Sequence, residues 1–97
     1  SCKDADMKLQ QIAANRTVVT FPNSTEVFFS YNTPVAGYHP DLGYVRTKKY
    51  YSQTTSRHIN KYAQSRYQGL DAFFTNVDQE VIDDLVNYKV PENYFVN

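Results

Sequence analysis

A chain of 97 residues with nine Tyr and six Phe can build a core for one domain without disulfides, since each buried ring removes on the order of 150–250 Å² from water. That composition excludes a disordered chain, and no apolar run approaches the roughly 18 residues of a membrane span. Net charge is zero, which argues against a uniformly basic binder, yet residues 46–66 carry six Lys or Arg and no acid, while residues 71–97 carry six acids against Lys89.

Residues 4–15 read as a short helix, with Met7, Leu9 and Ile12 apolar among Lys and Gln. Thr17, Val18, Val19, Thr20 and Phe21 are β-branched or aromatic and predict a strand, closed by the turn residues Pro22, Asn23 and Ser24. A second strand is expected over 25–32. Alternation puts Val27, Phe29 and Tyr31 on one side and Glu26, Phe28, Ser30 and Asn32 on the other. Pro34 has no amide to donate, so it marks an edge or a bulge, and residues 35–38 resume the strand.

The run His39-Pro40-Asp41-Leu42-Gly43 is a hairpin signal, with Pro suited to open a type I turn and Gly to the left-handed position after it. The third strand, 44–51, separates Tyr44, Arg46, Lys48 and Tyr50 from Val45, Thr47, Lys49 and Tyr51. Neither side is apolar throughout, so one face of this hairpin is expected in solvent. Thr54, Thr55 and Ser56 offer capping hydroxyls for a helix over 56–68 that Gly69 stops. Its apolar stripe is Ile59, Tyr62, Ala63, Tyr67 and Leu70, with Arg57, Lys61 and Gln64 opposite. A last helix has Thr75 or Asn76 as cap, Asp78 at its positive end, and Val81, Ile82, Leu85 and Tyr88 facing inward, until Pro91 ends it. The expected fold is therefore α+β: a three-stranded antiparallel β-meander with two C-terminal helices packed on one face and a short N-terminal helix. Residues 1–97 are expected as a single domain, with 1–6 and 92–97 as loose tails.

Little in the chain points to catalysis. Cys2 is the lone cysteine, which precludes an internal disulfide and suits a reducing cytoplasm. The sequons at Asn15 and Asn23 matter only in eukaryotic secretion. Ser56 and His58 are near in sequence, but residues two apart on a helix do not face each other, and no carboxylate lies within twelve residues of His58. One Cys and two His are too few for a zinc site, and no calcium or Gly-rich phosphate loop is present. Asp83 and Asp84 read as a solvated helix face. No enzymatic activity, metal or cofactor is expected.

The constellation that carries a function runs from Tyr44 to Lys61. Nucleic-acid binders combine phosphate-neutralising cations with rings or amides that meet bases. Arg46, Lys48, Lys49 and Tyr50 on the strand, with Arg57, His58, Asn60 and Lys61 on the helix, form such a set. The plain alternative is a solvated hairpin beside a solvated helix face, with Tyr50 and Tyr51 in the core; a third is an acidic protein partner.

Two blocks, Phe28-Phe29-Ser30-Tyr31-Asn32-Thr33-Pro34-Val35-Ala36 and Thr54-Thr55-Ser56-Arg57-His58-Ile59-Asn60-Lys61-Tyr62, resemble a family of small uncharacterised proteins frequent in tailed-phage genomes, marine phages included. The resemblance covers about residues 17 to 67 and implies an accessory protein of the infected bacterium's cytoplasm, without an activity. Within those blocks Ser30, Asn32, Thr33, Thr55, Ser56, Arg57, His58 and Asn60 form two polar clusters. They serve either to set a bulge and cap a helix, or to build one surface where helix amides, Arg57 and His58 meet an anion such as phosphate.

The expectation is a non-enzymatic binding module for nucleic acid, with no membrane partner. The rival is a module that engages a host or phage protein through its tyrosine-rich surface or acidic last helix. The charge gradient discriminates between them: the first requires that Asp78, Glu80, Asp83 and Asp84 do not neutralise Arg57 and Lys61.

Overall fold

Among the described residues, backbone pairing builds one six-stranded sheet whose strands follow sequence order. The computed structural model describes residues 7–66 and 74–90. The strands are β1 (Lys8–Ala13), β2 (Arg16–Thr20), β3 (Glu26–Ser30), β4 (Thr33–His39), β5 (Gly43–Thr47) and β6 (Thr75–Val77). The first five form an antiparallel meander, and β6 joins β5 in parallel. Parallel neighbours need a long crossover. Here α1 (Gln53–Arg66) lies within that connection. A short helix α2 (Gln79–Asp83) and a 3₁₀ turn (Leu85–Asn87) follow β6.

The turns explain the tight spacing. Asn15, Ser24 and Tyr31 take left-handed φ values of 63°, 76° and 57°, and Gly43 one of 76°. The Asn23 side chain accepts a bond from the Thr25 amide at 3.0 Å, an Asx turn that closes β2–β3. The Tyr31 amide donates to the Asn15 carbonyl at 2.8 Å, tying the β1–β2 and β3–β4 turns together.

The sheet is covered on both faces. Strand alternation sends Val18, Phe28 and Ala36 to one face, where they pack with Val35 against Ile59 and Tyr62 of α1. Phe28 and Tyr62 are both fully buried, their rings stacked at 4.4 Å. Tyr38, Tyr44 and Phe74 extend this row of rings. The other face carries Val27 and Val45, covered by Ile82 and Leu85. There Gly37 lies under Leu85. A Cβ on it would collide with the Glu26 carbonyl oxygen and stand 2.8 Å from Leu85 Cδ2, so only glycine lets the 3₁₀ turn close down on β4.

This architecture corrects the three-stranded expectation: α+β holds, but the sheet is mixed and has six strands, with its helices on opposite faces. Residues 8–13 are strand rather than helix. Their Ala, Gln and Leu favour a helix locally, yet pairing with β2 satisfies the backbone, and Leu9 remains 72% exposed with nothing for a helix to pack on. The expected single strand over 25–38 is instead the β3–β4 hairpin, reversed at Tyr31 and Asn32, because Tyr31 accepts a conformation usual for glycine.

Register shifts beside Pro34, leaving Val35 as an extra residue between the Pro34 and Ala36 pairings, so the proline does mark a bulge. Strand β5 stops at Thr47, whose hydroxyl accepts the Lys49 amide at 3.0 Å, short of the expected Tyr51. Ser52, rather than Thr54 to Ser56, caps α1 by accepting from the Thr55 amide at 3.0 Å. Thr75 and Asn76 form β6 and cap nothing. The last helix is a single short piece, and its N-cap Asp78 makes no side-chain cap bond. Tyr67, Gly69 and Leu70, the stop at Pro91 and the expected tails lie outside the described residues.

Candidate nucleic-acid interface

The position of α1 on the sheet decides where its polar side points. Ile59 and Tyr62 anchor the inward stripe. A second anchor is polar: Glu26 of β3 accepts from the Tyr62 hydroxyl at 2.7 Å and from Arg66 Nε at 3.0 Å, with Arg66 Nη2 on its other oxygen. Burial, and the Glu26 carboxylate beside it, hold the Tyr62 hydroxyl well above the usual phenol range. The hydrogen bonds to Glu26 raise the Arg66 guanidinium above its ordinary value. The C-terminal end of the helix is thereby held, and Arg57, Asn60, Lys61 and Gln64 are left exposed.

Beneath the N-terminal half of α1 lies a buried polar contact. Ser30 Oγ stands 3.0 Å from Thr55 Oγ1 and 2.8 Å from His58 Nδ1. Ser30 is only 2% exposed, so its hydroxyl orients the imidazole and cannot meet an outside reactant. Among the described residues no carboxylate bonds to His58. Burial, then the charges of Arg16 and Lys61, push the His58 pKa below the ordinary histidine value, leaving the ring neutral at pH 7. Arg16 pairs with Ser30 across β2–β3, which brings it to this site. The Tyr31 ring stands 5.6 Å from that of His58 and is 49% exposed.

Of the residues singled out in the sequence, Arg46, Asn60, Arg57, His58 and Lys61 share the α1 side of the sheet. Arg46 Nη2 donates to Asn60 Oδ1 at 3.2 Å, joining strand to helix. Lys48, Lys49 and Tyr50 follow the end of β5 and do not join them. Lys48 pairs with Asp78 at 3.2 Å in a bridge whose partners are both mostly exposed, and such bridges contribute little. Together with Lys49 it borders a cleft lined by Asp78, Gln79, Glu80 and Asp83. Lys49 Nζ sits 5.1 Å over the Tyr51 ring, and Tyr50 is 71% exposed rather than in the core.

Sequence reasoning missed Arg16 as a site residue and expected Tyr31 on the side of Val27 and Phe29, away from α1, whereas its ring turns to His58. Neither has a local signal, because two turns and a strand pairing bring them to α1. Of the two polar clusters, Ser30, Thr55 and His58 do converge, but in a buried contact rather than on an open surface, since Ser30 and Thr55 are 2% and 6% exposed. Among the described residues no group of three or more His, Cys, Asp or Glu is placed to hold a metal. Nor is any helix there long and apolar enough to cross a membrane. A family model described as a family of unknown function (DUF8033) matches residues 7–83. No curated protein and no solved structure matches the chain.

Proposed function

The chain belongs to DUF8033, a family of unknown function, and we propose that it is a nucleic-acid-binding module whose contact surface is the outer side of α1 with the sheet end beneath it. The single observation that supports this most is the separation of charge by the sheet. The cations Arg57 and Lys61 lie with Arg46 on one face, and the acids of α2 lie on the other. Asp83 and Asp84 bond within their own segment, to Gln79 and Asn87. No acid of α2 bonds Arg57 or Lys61 among the described residues. Cations gathered on one side of a neutral protein give phosphate a defined place to bind, and binding releases counterions in proportion to the phosphates neutralised. The resemblance of two sequence blocks to small proteins of tailed phages supports an accessory role in an infected bacterium's cytoplasm. The rival reading, a protein-interaction module, is supported by the exposed Tyr50 ring and by the acids Glu80 and Asp83, which line a cleft with Lys48 and Lys49.

Fluorescence anisotropy with labelled single-stranded and duplex DNA and RNA tests the proposal, at low and near-physiological salt, beside Arg57→Glu/Lys61→Glu. Binding that weakens with salt and disappears in the variant is the expected result. No binding at low salt refutes it and redirects the search to protein partners.

A further inference from the structure

We infer that the nucleic acid bound is single-stranded, with one unpaired base stacked on Tyr31 and the adjoining phosphate held by Arg16, His58 and Lys61; the inference rests on the nucleic-acid reading above. It begins from a residue that the fold does not explain. Tyr31 is the first of two residues in the β3–β4 hairpin loop, and its φ of 57° is a value that such loops usually give to glycine. A bulky side chain takes that conformation at a cost, and such residues gather where a ligand is gripped. The turn has no need of a ring, and the ring does not serve the core, since half of Tyr31 is in solvent.

What surrounds the ring suits a nucleotide. His58 lies 5.6 Å from it, and the bond between Ser30 Oγ and His58 Nδ1 fixes the imidazole. When Ser30 donates in that bond, Nε2 carries the proton and is the donor left for a phosphate oxygen. Arg16 pairs with Ser30 from β2, and Lys61 follows His58 by three residues on α1, so both add positive charge at the same place. The depressed pKa of His58 registers both charges. An aromatic face, a neutral donor and two cations side by side are the elements that single-strand binders combine. Selection against duplex follows from the ring: bases in a duplex have both faces stacked on neighbours, whereas an unpaired base offers a free one.

The test is anisotropy with labelled oligothymidylate, oligouridylate and a duplex of equal length, using the wild type and variants at Tyr31 and Arg16. Single strands are expected to bind more tightly than duplex. Tyr31→Gly should weaken single-strand binding by between about fivefold and about a hundredfold, the range for loss of one base–aromatic stack. Its urea midpoint should hold or rise, because glycine suits the turn. Tyr31→Leu, which keeps bulk and loses the π-face, should weaken binding equally, whereas Tyr31→Phe should restore it. Arg16→Gln should lower the salt slope by about one. Undiminished single-strand binding in Tyr31→Gly and Tyr31→Leu, or tighter binding to duplex, overturns the inference. If either occurs while Arg57→Glu/Lys61→Glu still abolishes binding, the broader nucleic-acid reading survives alone. If the wild type binds nothing at low salt, both fail.

Discussion

Glu26→Ala should be as costly as emptying a core position on the α1 side of the sheet, because one carboxylate holds the C-terminal end of that helix. Glu26 accepts from the Tyr62 hydroxyl and twice from Arg66, and the paired side chains are only 15% and 27% exposed. Removing it leaves a guanidinium largely out of water without its counter-charge and a fully buried phenol without an acceptor. Breaking a buried pair from one side costs about 3–5 kcal/mol, and an orphaned hydroxyl about 1–3. Remaining exposure lets water reach Arg66, so the combined loss should be about 3 kcal/mol, a large part of the 5–15 kcal/mol that holds a typical domain. In urea titrations followed by circular dichroism, that loss lowers the midpoint by about 2 M if m is near 1.5 kcal/mol/M. Tyr62→Phe should lose only about 1 kcal/mol, since Arg66 still satisfies the carboxylate. Glu26→Ala/Arg66→Met should be more stable than Glu26→Ala, because no unpaired charge remains. A loss below about 1 kcal/mol in Glu26→Ala, or no recovery in the double variant, would show that the Glu26 carboxylate does not hold the end of α1.

Gly37→Ala should destabilise by about 2–3 kcal/mol in a thermal melt, since the added methyl meets the Glu26 backbone carbonyl as well as Leu85. Leu85→Ala added to it should give no rescue, because the backbone obstacle remains. Stability should fall as pH drops below 6.5. The unfolded chain takes up a proton at His58 near that value, and the folded chain only at a lower one, so the folded state is fully favoured above 6.5 and loses ground through the interval beneath. In His58→Gln that part of the stability–pH curve should be flatter, and an unchanged slope would show that other groups set it.

The features legible from the amino acids alone are local. The β-branched run from Thr17 to Phe21, the Pro40–Gly43 turn and the spacing of Ile59 and Tyr62 all appear as a strand, a hairpin and the inward stripe of α1. The alternation in β3 also holds: Phe28 faces α1, and Val27 and Phe29 face the opposite side. Arg57 and Lys61 point outward as their helical spacing required. In each case neighbouring residues contain the whole cause, a side-chain period or a turn preference. The remaining features depend on contacts between distant segments. Residues 8–13 are strand because β2 offers a ladder, Thr75 to Val77 are strand because β5 has an open edge, and no feature within either segment reports those partners. Tyr31 reverses the chain against its own steric preference, held by the Asn15 carbonyl. The candidate site follows the same division. Its helix residues were legible, whereas Arg16, Ser30 and Tyr31 reach His58 only after β2, β3 and α1 have assembled. A spacing can specify which way a side chain faces, but contacts between distant segments arise only when backbone pairing and burial choose which surfaces meet.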